Sequence, residues 1–153
     1  MLKLHHAPNT RAGRIVWLLE ELQLPYELNR MEFNPKALKS DEHRARHPLG
    51  RVPVLEDGEV MLYESGAIVE YICGKYADWK LCPRADDPDF AQHLFWFHFT
   101  NGTFMTNVMM EMAVMMTGGS ADASIGNARG DIAWTMIEDQ LGKTDYFGGR
   151  QLT

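Results

Sequence analysis

Val52-Pro53 stands at the mouth of an apolar strand, Val54-Leu55, and the pair Glu64-Ser65 follows shortly after it. A proline withholds a ladder donor, so it is tolerated at a strand only where the neighbouring backbone faces a ligand or a turn. Val52 is therefore read as offering its backbone outward. After a hairpin over Asp57-Gly58, Ser65 opens an apolar-periodic helix, with the unpaired amides of a helix start beside it. Such amides receive anions. An open strand backbone next to a helix start suits a small peptide-like ligand bearing a carboxylate, and Glu64 could hold that ligand's ammonium. The chemistry indicated is recognition of an amino-acid headgroup. Ser65 by itself reads more readily as a simple helix cap; its pairing with Glu64 and with Val52-Pro53 favours a ligand.

The elements that must position these residues follow from periodicity. Leu2 and Leu4 alternate with Lys3 and His5 in a short strand, broken by Ala7-Pro8-Asn9-Thr10 before a helical pattern begins at Arg11. Ile15, Leu18, Leu19 and Leu22 form its buried stripe, and Pro25 ends it. Tyr26 to Met31 alternates as a second strand, and Pro35 to His47 is a charged, weakly amphipathic segment expected as one exposed helix with solvated charges from Lys36 to Arg46. Val52 to Leu55 and Val60 to Leu62 make a hairpin, and Ile68, Val69, Ile72 and Cys73 line the helix after Ser65. The order is βαβαββα over residues 1–77. Residues 78–88, rich in Asp and Pro, are expected as a linker, and 89–153 as an all-helical second domain. There Asp89 to Met116 reads as a single long helix with two apolar stripes, Phe90, Leu94, Phe97, Phe104 and Val108 on one, Phe95, Phe99, Met109, Ala113 and Met116 on the other. Buried on two sides, it calls for a second subunit as well as its own bundle. Gly118-Gly119 ends it, and Ala121 to Leu141 is the next helix, with Ile125, Ile132, Met136 and Ile137 inward.

Bulk properties narrow the classes of partner. A net charge of −6 without a Lys/Arg run argues against nucleic acid and anionic membrane surfaces, both of which are bound through clustered cations. Cys73 and Cys82 have no metal or redox spacing and read as free thiols of a reducing compartment, hence the cytoplasm. His5 and His6 are neighbours on a strand and read as packed or exposed histidines; no metal is expected. Polar residues interrupt the uncharged run from Phe90 to Met110, so no membrane span is read there.

The runs Ala7-Pro8-Asn9-Thr10-Arg11, Trp17-Leu18-Leu19-Glu20-Glu21, Gly50-Arg51-Val52-Pro53 and Glu64-Ser65-Gly66-Ala67-Ile68, in this order, resemble a bacterial-type glutathione S-transferase. The resemblance implies an α/β thioredoxin-like N-terminal domain, an all-α C-terminal domain, a cytosolic homodimer, and glutathione as co-substrate with a small hydrophobic electrophile. It implies a cis-proline at Pro53 and pairing of the Val52 backbone with the cysteinyl part of glutathione. Glu64 and Ser65 would take the γ-glutamyl ammonium and carboxylate, and Lys39 and Arg51 would reach its carboxylate ends.

Catalysis then requires a thiolate, because a thiol of pKa about 8.5 is only a few per cent ionised at neutral pH. Lowering that pKa by roughly two units takes about 2.7 kcal/mol. One hydrogen bond to a charged group supplies about 1.5–3 kcal/mol, and the positive end of the helix at Arg11 adds to it. Thr10 carries the loop's only hydroxyl and is assigned the role, with the Asn9 amide and the Arg11 backbone as substitutes; Thr10 is also readable as a cap of the first helix. Several branches of the family place Ser or Tyr earlier in the loop, where this chain has Ala7. Leu152-Thr153 reads as the approach to a further helix, and relatives of this type carry several more. The alternative reading is a non-catalytic glutathione-binding or interaction module, or an inactive copy, of the same fold.

Overall fold

The computed structural model describes residues 1–119 and 125–153, with only the backbone considered for 125–129. The chain folds as two compact units, Met1–Lys80 and Leu81–Thr153.

The first unit is built on a four-stranded sheet. Its elements are β1 (Leu2–His6), α1 (Ala12–Glu21), β2 (Tyr26–Arg30), α2 (Pro35–Leu38), α3 (Asp41–Arg46), β3 (Val54–Asp57), β4 (Val60–Tyr63) and α4 (Ser65–Tyr76). The strand order is β2-β1-β3-β4. β1 runs parallel to β2 and antiparallel to β3, and β3 and β4 form the hairpin turned at Gly58. α1 and α4 pack against each other and supply the stripes read from the sequence: Ile15, Leu18, Leu19, Ile68, Ile72 and Cys73 are buried with Leu2, Leu4, Val54 and Leu55. On the other face of β1 Lys3 is half-buried, while His5, with the His43 ring 6.3 Å away, is fully buried. His5 closes its own hydrogen bonds. Its Nε2 donates to Glu56 Oε1 at 2.6 Å and its Nδ1 accepts from Asn29 Nδ2 at 2.7 Å, the arrangement of a neutral ring, and burial pushes its pKa down against the pull of Glu56.

The segment from Pro35 to His47 is two helices instead of the one expected. Ser40 adopts an extended backbone with φ −60° and ψ 150°, ends the first, and accepts from the His43 amide at 3.2 Å as the cap of the second. Nor is its face fully solvated. His43 and His47 are buried, and Arg46 pairs with Glu42 at 2.9 Å and Glu56 at 3.2 Å.

The second unit contains α5 (Phe90–Phe99), a π-helical turn (Thr100–Phe104), α6 (Met105–Met116) and α7 (Ile125–Leu141). The single long helix expected from 89 to 116 is therefore interrupted, and its two stripes do not survive. A π turn adds a residue and rotates everything beyond it, so one 3.6-residue phase cannot describe both halves. The face that packs carries His93, Trp96 and Phe99, with Ala133 opposite and Phe104, Met136 and Ile137 beside it. Leu94, Phe95, Met109 and Met116 are exposed, as is Ile132, which was expected inward. Residues 121–124 of the expected Ala121–Leu141 helix lie outside the described residues, and nothing is described of the Ile125 side chain. Both cysteines are buried, Cys82 with its sulfur 3.8 Å from His93 Nε2. No helix among the described residues is long and apolar enough to cross a membrane, and none of their His, Cys, Asp and Glu side chains cluster in threes as a metal site would need.

Candidate functional site

One rung of the sheet sets the geometry. His5 of β1 pairs with Val54 of β3, and Val54 pairs with Tyr63 of β4. Just beyond this rung the chain leaves the sheet at three adjacent places: His6 into the loop Ala7–Thr10, Val54 back to Pro53 and Val52, and Tyr63 on to Glu64 and Ser65. Register alone thus brings the three motifs to one end of the sheet.

The Val52-Pro53 peptide is cis, with Pro53 buried and Val52 half-buried. The stretch before it is held by its carbonyls. Lys39 Nζ donates to Leu49 O at 2.5 Å and to Gly50 O at 3.1 Å, and His43 Nε2 donates to Arg51 O at 2.8 Å. The Leu49 amide donates to His47 Nδ1 at 3.3 Å, and the His47 ring stacks on Tyr63 with centroids 4.4 Å apart. Gly50 makes this path possible: its φ is +57°, and a Cβ there would run into the Leu38 carbonyl oxygen. Arg51 is exposed. Lys39, expected to reach a carboxylate end of the ligand, spends two of its three N–H donors on backbone carbonyls of this loop.

Glu64 precedes α4 with φ +83°, a left-handed conformation unusual for a residue with a side chain, and its carboxylate is exposed. Ser65 follows as the first residue of α4 and is buried. The first amide to close a helical bond is that of Ile68, onto Glu64 O at 3.0 Å, and no side chain among the described residues caps the helix start. The amides of Ser65, Gly66 and Ala67 are left for another acceptor. Charges converge here as well: burial and then His43 push the His47 pKa down, Glu64 pulls it up, and Arg51 and Lys39 push it down again. Lys39, Arg51 and Glu64 therefore share one electrostatic neighbourhood around the His47 ring.

At the β1 loop, Asn9 is exposed with φ +58°. Thr10 Oγ1 donates to Ala7 O at 2.6 Å and accepts from the Ala12 amide at 3.3 Å, so the hydroxyl ties the loop to the first turn of α1. No hydrogen bond joins Thr10 or Asn9 to the residues around Val52 or Ser65; what relates them is the sheet register.

His43 and His47 were passed over in the sequence, where they sat inside a charged segment. Their spacing of four, which puts both on one face of a helix, was the available signal.

Residues 1–74 match the glutathione S-transferase N-terminal domain family. Glutathione S-transferase 3 of Schizosaccharomyces pombe is 27% identical over 168 residues, a match covering 100% of this chain and 69% of that protein. A probable glutathione S-transferase of Oryza sativa subsp. japonica is 40% identical over 70 residues, 46% of this chain and 32% of its own length. Among solved structures, a glutathione S-transferase from Actinobacillus pleuropneumoniae superposes with a TM-score of 0.86 at 28% identity, covering 100% of this chain and 72% of the other. The α/β sheet with helices, the motif positions and these likenesses agree: residues 1–74 match the glutathione S-transferase N-terminal domain, and the chain along its whole length is similar to glutathione S-transferases.

Proposed function

We propose that the chain is a glutathione transferase that binds glutathione at the end of the sheet and holds its sulfur as a thiolate for addition to a small hydrophobic electrophile. The observation that carries this reading is the rung His5, Val54, Tyr63, which delivers the Val52 backbone, the uncapped start of α4 and the Thr10 loop to one place. Val52 pairs with the cysteinyl backbone of the ligand. Glu64 receives the γ-glutamyl ammonium, and Ser65 with the free amides of the first turn receives its carboxylate. Arg51, and the remaining donor of Lys39, reach toward a carboxylate at the ligand's ends. Pro53 shapes the approach to β3.

In the reaction the thiolate sulfur forms the new bond to carbon while the electrophile's leaving group departs with its electron pair. The protein's task is to keep the sulfur ionised. Thr10 donates its hydroxyl hydrogen to the sulfur by turning it away from Ala7 O, a rotation about one bond, while keeping the Ala12 amide as donor to its oxygen. The Asn9 amide and the start of α1 add positive potential. No metal takes part. The chain works in the cytoplasm as a homodimer; the apolar residues exposed on α5 and α6, Leu94, Phe95, Met109, Met110, Met112 and Met115 among them, support the dimer.

Calorimetric titration of the 153-residue chain with glutathione tests the site. Binding in the micromolar to millimolar range is expected, weakened about tenfold in Ser65→Ala, the loss of one hydrogen bond to a charged group. A folded wild type that gives no binding heat would overturn the assignments of Val52, Glu64 and Ser65 together.

A further inference from the structure

We infer that His43 is a positioning residue for the glutathione site: through its single hydrogen bond to the Arg51 carbonyl, it fixes the direction in which the Val52 backbone faces the ligand. The inference rests on the glutathione reading above and adds to it a residue that touches no ligand.

His43 is buried in α3, 1% exposed, behind the loop. Its Nε2 donates to Arg51 O at 2.8 Å. Its Nδ1 is sealed from solvent and meets no hydrogen-bond partner among the described residues. A buried polar nitrogen without a partner costs stability, and a phenylalanine or leucine of similar volume would fill the same space without that cost. What an apolar side chain could not supply is the Nε2–H. That donor acts on one peptide unit, the one joining Arg51 to Val52. The Arg51 carbonyl and the Val52 amide belong to the same planar group, so holding the oxygen fixes the opposite direction of the N–H. His43 pulls the carbonyl toward α3 and thereby aims the Val52 amide away from it. Lys39 does the same for the two preceding carbonyls, and His47 for the Leu49 amide. The three side chains come from one continuous stretch, Lys39 to His47, which runs from the end of α2 through α3, with Ser40 as the break between the two helices. His43 is the member of this set nearest to the residue that contacts the ligand.

The charged and titratable groups around His43 are those of its packing partners. The His5 ring centroid lies 6.3 Å away, and beyond it stand Glu56 and Arg46. His5 is already satisfied by Asn29 and Glu56, which leaves His43 Nε2 free to serve the loop alone.

The test compares wild type with His43→Phe, which keeps a ring and removes the donor, and His43→Gln, which restores an N–H at similar reach. Two readouts are taken on the full chain: glutathione affinity by calorimetry, and the rate at which trypsin cuts after Arg51 in the absence of ligand, with cleavage after Lys75 in α4 as the measure of general opening. In His43→Phe, glutathione affinity falls about tenfold and cleavage after Arg51 rises by a similar factor, the scale of one lost hydrogen bond, while cleavage after Lys75 does not change. His43→Gln returns both to within about threefold of wild type on the same scale. Unchanged affinity in His43→Phe, a His43→Gln as defective as His43→Phe, or equal acceleration at Arg51 and Lys75 would each overturn the inference, the last by showing that His43 only stabilises the fold. A wild type that binds no glutathione but is protected at Arg51 by His43 would overturn the glutathione reading, and the positioning role with it, while identifying the ligand assignment as the part that failed.

Discussion

At the scale of single residues, the chain places chemistry on groups that already have local work. Thr10 is the clearest case, since its hydroxyl both donates to Ala7 O and accepts from the Ala12 amide. Replacing it by alanine therefore has two separable effects. Stability falls by about 1 kcal/mol, the usual value of a helix-start cap. The glutathione thiol pKa in the complex, followed by thiolate absorbance near 240 nm, rises toward that of the free thiol, and conjugation slows by about 10-fold to 100-fold for the loss of one hydrogen bond to a charged sulfur. Thr10→Ser restores both. An alanine variant with wild-type thiolate absorbance would reassign the role to the Asn9 amide or the Arg11 backbone. Motif residues were legible in sequence because they stand at breaks between elements, where proline, glycine and hydroxyl residues have few competing explanations. His43 and His47 were not, because a histidine reads the same on paper whether it is solvated or buried.

Among the elements, the decisive one is the stretch from α2 to β3. The sequence indicated a charged helix there, and charge content was the correct observation put to the wrong use. Lys39, although exposed, is bound to the loop before Pro53, and the half-buried Arg46 pairs with Glu56, while Lys36, Asp41, Glu42 and Arg44 are exposed. Gly50 is the position on which this packing depends. Gly50→Ala meets both a left-handed backbone, worth about 1–2 kcal/mol, and the Leu38 carbonyl, so an unfolding free energy lowered by more than about 2 kcal/mol is expected in urea. Gly58→Ala is the control: its φ is +61°, but nothing stands within 4 Å, and it should lose only the backbone part, about 1–2 kcal/mol. Equal losses at the two sites would show that the approach to Leu38 relaxes without cost. The second unit teaches the complementary lesson. Its apolar content predicted helices correctly, yet the packed face of α5 carries His93, Trp96 and Phe99, and the π turn at Thr100–Phe104 changes the phase beyond it, so no single period describes α5 and α6 together.

For the whole molecule, the buried His5 and His47 and the half-buried His6 give the fold a characteristic pH response. Burial pushes the pKa values of His5, His6 and His47 below the ordinary 6.5. The unfolded chain therefore binds protons before the folded one as pH drops through 6.5, and stability present above that pH is lost below it. Each group contributes a slope of up to about 1.4 kcal/mol per pH unit. The melting temperature should fall between pH 7 and pH 5, before the carboxylates Glu56 and Asp57, whose pKa values their partners hold low, lose their charge under more acid conditions. A flat melting profile from pH 7 to 5 would mean that these rings gain protons without unfolding. By itself the sequence determined the element types of the first unit, its strand and helix stripes, the turn residues and the three motifs, because these are set by local periodicity and by the backbone limits of proline and glycine. It also carried enough of the family pattern to name the class of ligand. Only the tertiary structure decided that His5, Val54 and Tyr63 share a rung, that two imidazoles and a lysine brace the loop before Pro53, and which face of α5 is buried. Those outcomes depend on strand register, on helix phase and on which polar groups lose access to water, and all three are settled by contacts between residues distant in the chain.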